Sequence, residues 1–355
     1  MSGRCKPLVR NAVLLVVAGL APLSGVASAQ VVELPEDDHE LIERYAAFED
    51  SFRIAGQGAM AGGLDDSIEA TLALYPVAQT LHPGAEALVA DRLARYYALS
   101  GDRDEQLSWS RRALDVRLAD PAQGEGVPGA ARSLSAALVQ AGRMRESAEA
   151  LLLGDHPAMS EEQRSALYRQ IADHYSVADM RAASYDAYSV AIESGEIAGL
   201  SDPTLFNLYY ARLIGGLDRA DDPARLIAEY EAVYDDPRFR GAIDRVVHLG
   251  WQYMHHLTSA GEYERAIALG REVLRNIAEI EEQYGYERGL EFELDEGYTQ
   301  ASISLHRTLS REGRTMEALE VLESAYAAYP DARLAESIER DIRSLRTGLE
   351  LEPDA

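Results

Sequence analysis

From about residue 38 to residue 349 apolar side chains recur every three or four positions, which is the period of a helix with one face against a core. The helical runs come in pairs. Leu93, Ala94, Tyr96 and Tyr97 belong to one run, Gly101 ends it, and a second amphipathic run reaches Ala113 and Leu114. The same order of helix, tight turn and helix recurs through Ile171, Ala172 and Tyr175, a turn near Asp179, then Ser184, Tyr188 and Ala191. It recurs again through Leu305 and Leu309, Gly313, then Ala318, Leu322 and Ala325 with Pro330 beyond. Glycines at 101, 142, 261 and 313 permit the left-handed conformation that ends a helix, and Pro83, Pro237 and Pro330 stop the second helix of their pairs. Upstream, 38–53 and 64–81 predict one more pair, with the glycine-rich stretch 56–63 as the turn between them. A long helix from Tyr263 to about Gln283 should run into a loop around Tyr284, Gly285 and Tyr286. The stretch 332–349 places Leu334, Ile338, Ile342 and Leu345 on one face, as a terminal capping helix needs.

Aligned on their turns, the units begin near residues 87, 128, 165, 206, 247 and 299, at intervals of 41, 37, 41, 41 and 52 residues. Small residues (Ala94, Ala172, Ala318, Ala325) sit where two helix backbones approach, and larger Leu, Ile and Tyr residues three or four positions away fill the space between neighbouring pairs. Only the first helix of unit 206 departs, because Gly215 and Gly216 disturb its spacing. This arrangement resembles the tetratricopeptide repeat (TPR), and the long intervals resemble the extended variety found in the kinesin light chain. The resemblance covers about 300 residues. It implies an all-α, right-handed solenoid of about seven helical hairpins over 30–331, with 332–355 as capping helix and short tail. It also implies a scaffold that binds a peptide or protein segment in a concave groove.

Charge and compartment narrow the possibilities. The formal net charge is −26, from 34 basic and 60 acidic side chains, and 47% of residues are apolar. That field repels nucleic-acid phosphates and anionic lipid, while the apolar fraction is that of a folded chain. Arg4, Lys6 and Arg10 precede an apolar run over 12–22, after which Ala27, Ser28 and Ala29 present small residues before Gln30. This is the pattern of a secretory signal peptide over 1–29, cleaved after Ala29, leaving no integral membrane span and placing the protein in the bacterial periplasm or outside the cell. Cys5 is the only cysteine and Lys6 the only lysine, and both fall in the leader. Disulfides, thiolate metal sites, Schiff-base chemistry and a phosphate-loop lysine are thereby excluded from the cleaved chain.

No constellation carries catalysis, a cofactor or a metal. The 56–63 stretch lacks the Lys-Ser/Thr of a phosphate loop, and the paired aspartates read as helix caps, as Asp222 before Pro223 illustrates. His248 and His255 flank Trp251 on one helix, but seven residues separate the histidines by about 10 Å along its axis, too far for one zinc ion. In the tetratricopeptide family the first helix of each hairpin lines the inner surface. Carried over unit by unit, that register gives Asp91 and Arg95, Arg132 and Gln140, Arg169 and Asp173, His248, Trp251 and His255, then Gln300, Arg307 and Arg311. Five arginines against two aspartates make this surface locally positive in an acidic chain, suited to an acidic peptide or a free C-terminal carboxylate. The rival expectation is a non-catalytic accessory subunit of an envelope peptidoglycan or protease system, since similar solenoids form the non-catalytic arm of lytic transglycosylases. The repeats run to Pro330, so an active domain would have to lie on another chain.

Overall fold

The structure, a computed structural model, describes residues 12–17, 30–35, 39–60, 63–216, 222–239, 242, 245–284 and 290–349. The chain divides into two compact units, residues 1–179 and 180–355. From residue 39 onward the regular elements among the described residues are all helices, arranged as successive hairpins. One departure precedes them: β1 (Ala12–Val17), inside the apolar run of the expected leader, pairs antiparallel with β2 (Gln30–Pro35).

In the first unit the helices are α1 (His39–Met60), α2 (Leu64–Leu81), α3 (Pro83–Ser100), α4 (Arg103–Ala119), α5 (Val127–Gln140), α6 (Met144–Leu152) and α7 (Glu161–Val177). Each packs against the next in sequence. Local chemistry sets their ends. The Asp102 carboxylate accepts from the Glu105 amide at 3.2 Å, and Ser160 and Gln163 form a reciprocal capping box at the start of α7. Gly101 and Gly142 end α3 and α5 at φ 83° and 72°, and Asp179 provides the corresponding left-handed turn at φ 56°. Pro83 takes the first position of α3, where its missing N–H is no loss, while α2 ends one residue earlier at His82. Aromatic Tyr45, Phe48 and Phe52 of α1 pack with Leu81, Val89 and Leu93, and Leu114, Val127, Leu134 and Leu138 form the next layer.

One expectation fails here. The 56–63 stretch is not a turn throughout, because α1 continues through Gly56, Gln57 and Gly58 to Met60. Gly56 is buried, and a Cβ there would lie 3.2 Å from Nη1 of Arg92 on α3. The residue is small for steric room, not for backbone freedom.

The second unit contains α8 (Arg181–Ala198), α9 (Asp202–Gly216), α10 (Pro223–Tyr234), α11 (Gly250–Ser259), α12 (Tyr263–Tyr284), α13 (Leu290–Arg311), α14 (Thr315–Ala328) and α15 (Ala335–Gly348). Its main core runs from Phe206 and Tyr230 through Leu249 and Met254 to Leu305 and Leu309. Both α12 and α13 are 22 residues long, which accounts for the wide last interval. Of the loop expected at Tyr284, Gly285 and Tyr286, Tyr284 is the last residue of α12, and 285–289 lie outside the described residues. Around α9, where the repeat pattern is weakest, planar cations alternate with rings. Arg225, Tyr185, Arg212, Tyr209 and Arg238 follow one another at 4.8, 5.0, 5.2 and 6.0 Å. Glu229 accepts from Tyr185 at 2.6 Å and from Arg212 at 2.8 Å, tying α8, α9 and α10 together. At the far end Ile338 and Ile342 of α15 are buried against Ile303, Leu319, Leu322 and Ala325, so the last hairpin does not present a bare apolar face.

Candidate partner-binding surface

The predicted surface residues sort by their distance before the turn that ends each first helix. Thirteen residues before it stand His248 and Gln300; ten before it, Asp91, Arg132, Arg169 and Trp251; six before it, Arg95, Asp173, His255 and Arg307; two before it, Gln140 and Arg311. Steps of three, four and four residues keep these positions on one helical face. Among them Asp91, His248, Trp251 and Gln300 are half-buried and the others exposed. In the first unit they lie on α3, α5 and α7; in the second, the stretch entering α11, α11 itself and α13 carry them.

Several other arginines are bound to carboxylates: Arg112 to Glu86 at 2.6 Å, Arg164 to Asp155 at 3.1 Å, Arg271 to Glu317 at 2.6 Å and Arg346 to Glu323 at 2.6 Å. Arg95, Arg132, Arg169, Arg307 and Arg311 have no carboxylate within 4.0 Å among the described residues. The Nε of Arg95 donates to the Asp91 backbone carbonyl at 3.3 Å, and that of Arg132 to the Pro128 carbonyl at 3.2 Å. In a chain with nearly twice as many acids as bases, the first unit thus carries three cations without counter-ions on its first helices, Arg95, Arg132 and Arg169, and α13 of the second unit carries two, Arg307 and Arg311. Arg132 is the only charged residue of α5, and the small exposed Gly129, Ser133 and Ala136 keep the helix surface beside it low.

Asp91 would neutralise this face, but its carboxylate is engaged from behind. Arg117 of α4, 5% exposed, donates to its two oxygens at 2.5 and 3.3 Å and to the Ala113 carbonyl at 3.1 Å. A buried guanidinium needs such a partner, and removing one side of a pair of this kind costs about 3–5 kcal/mol. Sequence spacing did not reveal this, because Asp91 and Arg117 belong to different helices.

In the second unit the surface is aromatic and amide-rich. A π-helical turn over Arg245–Leu249 carries His248 into α11. Gly297 of α13 makes room for it, since a Cβ there would meet Val247 Cγ1 at 2.7 Å. Beside Trp251, Gln252 is fixed by two tyrosines: its amide donates to Tyr210 at 2.8 Å and its carbonyl oxygen accepts from Tyr230 at 3.0 Å. His256, adjacent in sequence, is buried against the Tyr230 ring at 4.8 Å and belongs to the core.

Two further features were not legible in the sequence. Arg92, half-buried on α3, joins the arginine face. A depression of about 440 Å3 on α4 collects Arg111, Arg112 and Arg143 with Asp104 and Asp115. Its arginines are already neutralised: Arg111 and Arg143 face Glu146, and Arg112 is held by Glu86. Burial pushes the Glu86 carboxyl up, but hydrogen bonds from Tyr75, Arg112 and Gln79 outweigh it and hold the group below the usual range. No helix among the described residues is long and apolar enough to cross a membrane.

No family model and no curated protein matches the sequence. Among solved structures the chain is similar to the apo form of RapI, at 11% identity and a TM-score of 0.39, over 84% of this chain and 76% of that one. It is similar to BtubC (BKLC) from P. vanneervenii, at 14% identity and a TM-score of 0.37, over 75% and 94%. It is also similar to the nearly identical TPR-like repeats of a kinesin light chain from Podosopora anserina, at 15% identity and a TM-score of 0.27, over 71% and 99%.

Proposed function

We propose that the protein is a non-enzymatic scaffold of the bacterial envelope that captures an acidic segment of a partner protein on the first-helix face of the hairpins in its first unit. The observation that carries this reading is the set of three surface arginines there, Arg95, Arg132 and Arg169, without carboxylate partners. Guanidinium groups held in this state gain most from an arriving carboxylate, which they bind through two parallel hydrogen bonds. In the second unit the half-buried Trp251, with His248 and His255 on the same helical face, offers an apolar contact of its own. Export is part of the proposal, supported by the basic, apolar and small-residue order of residues 1–29. Protein recovered from the envelope should begin at Gln30, which intact-mass measurement reads directly.

Binding is tested with a fluorescein-labelled peptide amide that alternates glutamate with serine, and its glutamine counterpart as control. Reversal of Arg132 and Arg169 to glutamate should weaken the glutamate peptide at least tenfold, because each charge-assisted contact contributes about 1.5–3 kcal/mol. The circular-dichroism spectrum should be unchanged, since both side chains are exposed. Equal affinity for the two peptides, or an unaffected double variant, would place the binding surface elsewhere.

A further inference from the structure

We propose that Arg92 and Arg95 together form a carboxylate-binding fork on α3, the anchor point for an acidic side chain of the partner segment. The inference rests on the scaffold reading above and adds to it a residue that spacing did not select, together with a fixed geometry. The two side chains are three residues apart, so they share a face of the helix, and neither has a carboxylate partner. Asp91, the acid beside them, is taken by Arg117 from the other side of α3.

The guanidinium of Arg92 is held in place. Its Cζ lies 3.1 Å from the centroid of the Phe52 ring, and Nη1 donates to the Phe52 backbone carbonyl. The buried Gly56 leaves the space that Nη1 occupies. One donor and one face of the group are thus committed to α1. Among the described residues the bond to Phe52 is the only hydrogen bond the guanidinium makes, and the residue is half-buried. Burial, with a smaller contribution from Arg95, lowers the Arg92 pKa to about 10, with Tyr96 opposing, and the group stays charged at neutral pH. A cation kept partly out of water beside a like charge is stabilised by any carboxylate that reaches it. Arg95, exposed on the same face, supplies further donors from its terminal nitrogens.

The competing role is structural: Arg92 could serve only to tether α1 to α3. Fluorescence anisotropy with the glutamate–serine peptide amide separates the two. Its blocked C-terminus limits the reading to side-chain carboxylates. Arg92→Gln should weaken binding roughly tenfold or more. Arg92→Lys, which keeps the charge but loses the planar fork, should weaken it several-fold and should reduce the preference for glutamate over glutamine. A tether alone would lower the melting temperature in both variants while leaving the dissociation constant, measured well below that temperature, at the wild-type value; this result overturns the fork. If Arg92→Lys and Arg92→Gln bind as wild type while the Arg132, Arg169 double reversal does not bind, the fork is wrong and the wider surface stands. If the wild-type protein fails to prefer glutamate at all, both readings fall together.

Discussion

Gly142 and Gly129 lie thirteen residues apart, and a methyl group added to either would meet nothing within 4 Å. Their backbones differ. Gly142 has φ 72° at the end of α5, a conformation that costs an L-residue about 1–2 kcal/mol, whereas Gly129 lies within the helix. Gly142→Ala should therefore destabilise the protein by about 1 kcal/mol, and Gly129→Ala should stabilise it by about 0.5–1 kcal/mol, in urea titrations followed at 222 nm. Equal signs for the two would mean that backbone strain does not govern these turns. Turns of this kind are legible in the sequence because few residues tolerate positive φ, which is why 101, 142, 261 and 313 could be placed, and Asp179 as well. Gly199, at φ 70°, escaped because it ends a second helix and interrupts no repeat interval. Gly56 was misread for a different reason. A glycine that makes room for Arg92 is identical in sequence to one that bends a chain, and only the position of the other helix tells them apart.

Among the helices, α13 and α15 show how much of an element's role depends on what lies across from it. The apolar stripe of α15 was visible from its three- and four-residue spacing, and Ile338 and Ile342 are indeed buried. Its polar contact was not: His306 of α13, 7% exposed, has Nε2 3.8 Å from Asp341 of α15. Removal of 332–355 strips both the stripe and the acid from the last hairpin, exposing Ile303 and Leu322. The truncated protein should lose several kcal/mol of stability or associate, since a buried Leu or Ile contributes about 1.5–3 kcal/mol through burial. Sedimentation velocity and thermal denaturation read the two outcomes, and a monomer with an unchanged midpoint would show that α15 does not close the core. At α9 the limits of pattern reading are clearest. There Leu205, Phe206 and Leu213 still enter the core, but stacked arginines and tyrosines add contacts between helices that leave no periodic trace.

For the molecule as a whole, acid and base responses follow from a few buried groups. Burial lowers the pKa of His82, His174 and His306 below the ordinary 6.5, and nearby Asp120, Asp173 and Asp341 only partly oppose it. Each group is neutral in the folded state where the unfolded chain would already be protonated. Their contribution to stability is complete above about pH 6.5 and is lost as the pH falls through the folded values. The melting temperature should thus decline between pH 7 and 5, before the carboxylates of Glu86 and Asp236, held low by their partners, begin to lose theirs. Partial relief of the −26 charge works in the opposite direction, and a midpoint that rises on acidification would show that this repulsion dominates. The arginine and tyrosine stack of the second unit answers to neither pH nor simple charge. Its rungs depend on the flatness of the guanidinium, which covers a ring face as an ammonium cannot. After Lys6 every basic side chain except histidine is an arginine. These contacts make the two bases unequal here: lysine at Arg212 would keep the charge and lose the seam.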